Sequence, residues 1–330
     1  MVIPREDWLE LVTEETLEPD LPICDPHHHL WDRPDNRYIL DDLLSDTGSG
    51  HNILRTVFVE ASSEYRKDGP EELRPLGETE YVYGNSGMQG KADIIAGIVG
   101  HVDFTLGERV GEILDMHIET AGGKFRGIRH ASAWDADDTA IPAYRNPPKG
   151  LLGDAKFREG FAQLGPHNLS YDAWMYHPQI LELADLAKVF PDTAIVIDHI
   201  GGPLGIGPYA GKRDEIFPQW KKDMAILAEN PNVVVKVGGC GMVTYGFDWH
   251  KQDKPPTSEQ LAERTSPYYN WCIETFGADR CMFESNFPVD KASFSYNVMW
   301  NAFKRMSKGY SDRERAYLFH DTAARFYRLT

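Results

Sequence analysis

The chain has 330 residues, 42% of them hydrophobic, which is enough for one large core or two modest ones. A formal net charge of −17 sets it against nucleic acid and anionic membrane surfaces. No apolar run reaches the roughly eighteen residues a membrane span needs. The first seven residues carry acids and no apolar segment, so no secretory leader is expected. Four cysteines (Cys24, Cys240, Cys272 and Cys281) without CxxC spacing predict a reduced, cytoplasmic protein. An anionic substrate would need local positive charge, from a metal ion or from arginines.

Short apolar runs rich in Val and Ile recur along the chain at 21–24, 56–60, 94–99, 127–130, 169–175, 194–197, 233–237 and 281–283. Most are apolar on both faces, as parallel strands covered on both sides are. The spacers predict amphipathic helices over 107–120, 179–190, 217–229, 258–276 and 294–306, with a last one over 312–327. Eight such units predict a single-domain (β/α)8 TIM barrel spanning 1–330. A doubly wound sheet is disfavoured, because no glycine-rich phosphate turn follows the first strand. Polar stretches at 135–165, 201–213 and 245–256 predict long loops over the active face.

The first unit ends in Asp25-Pro26-His27-His28-His29. Side chains alternate along a strand, so His27 and His29 share one face and His28 takes the other. Two imidazoles on one face at a strand end suit a half-site for a divalent metal, or a proton-handling pair. Later units also end in polar residues. Glu60 closes the second and Arg126, Arg129 and His130 flank the fourth. His177 follows the fifth, Asp198 and His199 end the sixth, and Lys236 closes the seventh. The eighth ends in Glu284-Ser285-Asn286-Phe287-Pro288. In a closed barrel these ends ring one pocket. One histidine there is readily structural; four on three strands point to function.

Arg126 and Arg129 are candidate clamps for a substrate carboxylate. They fall on opposite faces, and Arg129, nearer the strand end, is expected in the pocket. Arg126 is otherwise a surface ion pair. Aromatic residues are dense in the predicted loops: Trp31, Tyr38, Trp134, Trp174, Tyr176, Tyr245, Phe247, Trp249 and Phe287. They either line a pocket for a flat or cyclic ligand, with Trp31 and Tyr176 as candidate substrate contacts, or pack loops onto the barrel.

An HxH pair, histidines on strands five and six and a polar residue on strand eight make the chain similar to the amidohydrolase superfamily. More narrowly it resembles the amidohydrolase-2 group, which holds lactonases of sugar lactones and of pyrone dicarboxylate. The landmarks run nearly end to end, from Asp25-Pro26-His27-His28-His29-Leu30-Trp31-Asp32 through Asp198-His199-Ile200-Gly201-Gly202-Pro203 to Glu284-Ser285-Asn286-Phe287-Pro288-Val289. The resemblance implies a hydrolase of C–O or C–N bonds. It implies one divalent ion, often zinc, on His27, His29 and His177, polarising a carbonyl and acidifying bound water. In metal-free lactonases of the group the same histidines hold the carbonyl. His199 takes the strand-six position.

At strand eight the chain departs from the group's Gly-Ser-Asp-Trp-Pro. Asn286 stands where the general base is expected, and an amide has no useful basicity. Glu284, two residues earlier, shares that face one layer deeper. Burial should raise its pKa and suit it to acid/base work; the alternative is an ion pair with Lys236 or an arginine. The expected reaction is hydrolysis of a small carboxylated or aromatic-derived lactone. His199 and Glu284 manage protons, and Asn286 orients water or substrate. Two rivals stand beside it: a metal-dependent decarboxylase of an aromatic acid, and a barrel that binds a ligand without turnover. The expected partner is a small molecule, not nucleic acid or membrane; a homo-oligomer is compatible, though no interface pattern marks one.

Overall fold

The computed structural model describes residues 2–34, 36–86, 94–140 and 147–329. Eight strands, β1 (Pro22–His28), β2 (Asn52–Val59), β3 (Ile95–Gly100), β4 (Phe125–Ile128), β5 (Ser170–Ala173), β6 (Ile195–Ile197), β7 (Val233–Val237) and β8 (Cys281–Phe283), pair in chain order. Every pair is parallel. The ring closes just beyond β8: a parallel bridge joins His28 to Phe287, His29 N donates to Phe287 O (2.7 Å), and Asn286 N donates to His27 O (2.9 Å). The fold is a (β/α)8 barrel.

The strands form where β-branched residues can be buried on both faces. All five residues of β7 (VVVKV) are buried, Lys236 among them. Helices cover the outside. The longest, Ser258–Phe276, starts on a capping box of Thr257 and Gln260 and ends at Gly277, whose positive φ stops it. The floor of the barrel is apolar. Cys24, Val57, Val59, Val99, Val196, Val234 and Met282 pack together there against Ala323, Phe326 and Tyr327. All four cysteines are buried and free. Among the described residues no helix is long and apolar enough to cross a membrane.

Several predicted boundaries move. β1 runs on to His28, so Asp25, His27 and His28 sit on the strand and His29 lies one residue past it. β4 stops at Ile128, which leaves Arg129 and His130 past its end. The expected helix over 312–327 breaks into Asp312–Ala316, a π turn at Tyr317–Asp321, and Thr322–Phe326. The stretch 135–165 holds an unexpected helix, Ala155–Phe161, started by Asp154 accepting from Phe157 N; residues 141–146 of that stretch lie outside the described residues. After β1 the chain folds into a small hairpin, Trp31–Arg33 against Asn36–Tyr38.

Candidate active site

The strand ends surround a cavity of about 520 Å³. His29, Glu60, Arg129, His199 and Asn286 line it, with Trp31, Trp174 and Tyr176 and small apolar residues such as Ala61, Ala131 and Ala133.

At the end of β1 the alternation puts His27 and His29 together, their Nε2 atoms 3.3 Å apart. His29 Nδ1 lies 2.7 Å from the Val59 carbonyl. A carbonyl only accepts, so Nδ1 carries the proton and Nε2 presents a lone pair towards His27. His28 points the other way, to Thr56 Oγ1 at 2.9 Å. Burial pushes the His27 imidazole down to about 4, with the Lys236 ammonium adding to the effect. It takes His28 down to about 3 and His29 well below its ordinary value. All three are neutral at neutral pH.

β6 delivers His199 through a backbone kink in which His199 and Ile200 both adopt left-handed φ (+53° and +49°). The kink brings the His199 ring centroid 4.5 Å from that of His27. Gly239 (φ +77°) leaves room for it; a Cβ there would lie 2.6 Å from His199 Cβ. From β8, the fully buried Glu284 reaches the same point. Its Oε1 accepts from His199 Nδ1 (2.6 Å) and from His199 N (3.1 Å). Its Oε2 stands 2.9 Å from His27 Nδ1 without hydrogen-bond geometry to it.

Glu284 therefore differs from expectation. Burial alone would raise its pKa, but His199 and His27 more than offset that and hold it down at about 2. It is a fixed anion, and its direct partners are histidines rather than Lys236 or an arginine. Lys236 lies beneath, with Nζ 2.6 Å from Asp172 Oδ2, 3.1 Å from Asp198 Oδ1 and 3.1 Å from His27 Nδ1. Burial would lower its pKa, yet Asp172 and Asp198 raise it, so it stays charged. Tyr327 OH also donates to Asp172 Oδ2, at 2.6 Å.

Arg129 reaches the cavity. Its charge is already answered there: Nε donates to Glu60 Oε1 at 3.0 Å, and Nη1 lies 3.5 Å from Asp198 Oδ2 and 3.4 Å from His27 Nε2. Arg126 makes no surface ion pair among the described residues; its Nη1 donates to the Gly123 and Phe125 carbonyls. Asn286 takes a left-handed φ (+55°), and its Nδ2 donates to Asp290 Oδ1 at 2.8 Å, leaving Oδ1 as the amide atom for a ligand. Asp290 Oδ2 accepts from Gly241 N at 2.8 Å, and burial raises this carboxyl to about 7.

His177 does not join the group. β5 ends at Ala173, and Trp174, Met175 and Tyr176 carry the chain past the rim before His177 opens a short 3-10 turn. Its Nδ1 accepts from Leu204 N at 3.3 Å, and its ring lies edge-on to Tyr209 at 5.1 Å. The expected set of His27, His29 and His177 is thus not assembled. His27, His199 and Glu284 converge instead, with donor atoms all within 4.8 Å of one another. Trp31 and Tyr176 do line the cavity, whereas Tyr38, Trp134, Tyr245, Phe247, Trp249 and Phe287 do not and pack loops.

The converging set fits a divalent cation. It brings two imidazoles and an anionic carboxylate to one point, a donor set that zinc accepts. Glu284 Oε2 is also buried without a hydrogen-bond partner, the state of a ligand atom awaiting an ion. Sequence reasoning missed Asp25, which ties β1 to β8 by accepting from Ser285 N (3.0 Å) and Tyr296 OH (2.9 Å). Its place beside the histidines was the available signal.

The family model described as Amidohydrolase matches residues 24–329. An uncharacterized protein, y4mH, of Sinorhizobium fredii is 36% identical, over 94% of this chain and 99% of the relative. An L-fucono-1,5-lactonase of Burkholderia multivorans is 25% identical, over 92% of this chain and 95% of that enzyme. The crystal structure of an amidohydrolase from Burkholderia multivorans with bound zinc has the same fold, with a TM-score of 0.74 at 23% identity over 94% of this chain and 100% of that one. The chain belongs to the amidohydrolase-2 family.

Proposed function

We propose that the protein is a lactonase: it hydrolyses a small cyclic ester in the cavity ringed by the strand ends. One observation carries the reading. His27, His199 and Glu284 converge, with Glu284 Oε2 buried and without a hydrogen-bond partner, beside a cavity walled by aromatic and small apolar side chains. The 25% identity to a lactonase supports it.

His27, His199 and Glu284 are the residues that would hold a divalent ion, zinc in the first instance, with the His29 Nε2 lone pair adjacent. Such an ion supplies Lewis-acid polarisation of the carbonyl and acidifies water. Trp174 on the cavity wall, edge-on to His199, gives a ring an aromatic neighbour, and the alanines leave it space. Glu60, a carboxylate on the cavity wall held by Arg129 Nε, takes the proton from the attacking water. Asn286 Oδ1 orients that water or a substrate hydroxyl. As the water oxygen bonds to the carbonyl carbon, the ring C–O bond breaks, and Glu60 returns the proton to the departing ring oxygen.

The test is a panel of neutral and carboxylated lactones, with acid release followed by a pH indicator on zinc-loaded and chelated protein and on His27→Ala. Ring opening that needs His27 supports the proposal. Carbon dioxide release from aromatic acids in place of ring opening, or binding without turnover across the panel, would overturn it.

A further inference from the structure

Charge in the cavity is not evenly spent. Arg129, the cation deepest in the wall, is answered by Glu60 and Asp198. Among the described residues the other cation on the wall is Arg33, at the end of the first arm of the hairpin after β1. Its guanidinium lies 4.5 Å over the Trp31 ring, and its Nη2 donates to the Ala61 carbonyl at 3.0 Å. Among the described residues it makes no ion pair with a carboxylate. The two tethers occupy one face and one N–H of a group that has five N–H donors in a planar fork. Trp31 in turn stacks on His29, with centroids 5.8 Å apart and planes at 17°. His29, Trp31 and Arg33 therefore form a column running from the reacting centre outwards.

We propose that Arg33 reads a carboxylate on the substrate remote from the carbonyl that is attacked, so that this cavity selects carboxylated lactones over neutral ones. The assignment rests on the lactonase reading only for where the carbonyl lies. The stacking distances of 5.8 Å and 4.5 Å cap the separation between the His29 ring and the cation, which suits a carboxylate on the far side of a single six-membered ring. The guanidinium is pre-organised by its stack and its backbone bond, so little side-chain freedom is lost when the anion docks. The surroundings sharpen the choice. In a chain of net charge −17, an anionic substrate needs such a local cation.

The experiment is calorimetry on the full-length protein with 2-pyridone-5-carboxylate and its methyl ester. The pyridone is a lactam that keeps the ring and carbonyl but resists hydrolysis. Wild type should prefer the acid over the ester on the order of tenfold to a hundredfold, the range of a hydrogen bond to a charged group. Salt should erode that preference, because Arg33 is half-buried rather than sealed. Arg33→Met should bring the ratio to near one, and Arg33→Lys, which keeps the charge without the fork, should fall between. Equal binding of acid and ester by wild type, or an acid preference that survives in Arg33→Met, would overturn the assignment. Should Arg33→Met fail to fold, the Arg33→Lys ratio decides in its place: a ratio equal to wild type overturns the assignment. If the acid preference holds and no lactone on the panel opens, the lactonase reading falls while the carboxylate site stands.

Discussion

Lys236→Met tests the electrostatic account of the barrel interior. The ammonium is fully buried and lies within 3.1 Å of Asp172, Asp198 and His27. Methionine fills its space but leaves the Asp198 Oδ1 and Asp172 charges facing one another with less to offset them. Tyr327 OH still donates to Asp172, so one acid keeps a partner. Breaking a buried pair from one side costs about 3–5 kcal/mol. Replacing Asp172 as well removes one of the two charges left facing each other, so Lys236→Met with Asp172→Asn should recover roughly 1–3 kcal/mol relative to the sum of the single changes. Urea unfolding followed by circular dichroism on the chelated protein measures all four corners of the cycle. A loss below about 1 kcal/mol in the single variant, or simple additivity in the double, would refute the idea that Lys236 is the counter-charge of this network.

The same geometry makes further expectations. His27→Ala should abolish bound zinc by atomic absorption, whereas His177→Ala should leave stoichiometry unchanged, because His177 faces Tyr209 and not the converging set; the reverse pattern would restore the expected triad. Gly239→Ala forces a Cβ to 2.6 Å from His199 Cβ at φ +77°, and should cost roughly 1–3 kcal/mol of stability and most turnover; a native-like melting temperature would contradict it. Glu60→Gln should lower kcat at least a hundredfold, in the range of general-base catalysis, with zinc content unchanged. Burial holds His27, His51 and His177 at about 4, against 6.5 for an ordinary histidine. A lowered histidine pKa means that the unfolded chain binds more protons, so stability is present above pH 6.5 and is lost as pH falls towards 4. The raised carboxyls of Asp25, Asp172 and Asp290 act in the opposite sense, so the check is by difference: a pH dependence of the urea midpoint left unchanged by His51→Gln would count against the His51 assignment.

The barrel was readable because its strands are Val/Ile runs that need burial on both faces, and that pattern survives without an alignment. The strand ends were readable for the same reason: His27, His29, Glu60 and His199 sit where an apolar run stops. What escaped depends on distances between elements. Whether His177 reaches the centre turns on where β5 ends, and three residues past Ala173 are enough to carry it over the rim. The sign of the Glu284 shift was misjudged because burial was weighed alone. The outcome is set by two imidazoles from other strands, one of them 85 residues away. Likewise, alternation told Arg129 from Arg126, but not that Glu60 would neutralise the first. The column of His29, Trp31 and Arg33 is made by a hairpin too short to leave a periodic trace.

The place where the cylinder joins itself has a consequence for assembly. The seam is made by His27, His28 and His29 meeting Ser285, Asn286 and Phe287, with Ser285 Oγ donating to His27 O at 3.0 Å across 258 residues of chain. These are the residues of the reacting centre and its immediate neighbours. Zipping the first strand to the last and bringing His27 to Glu284 are therefore one event, made by a contact that spans 258 residues of chain. A partly wound intermediate would own every helix and most strands and still be unable to capture an ion. With zinc in the proposed site, its uptake by a refolding sample would time the joining of the two chain ends; a nick or circular permutation elsewhere would spare that signal while one inside the seam would erase it.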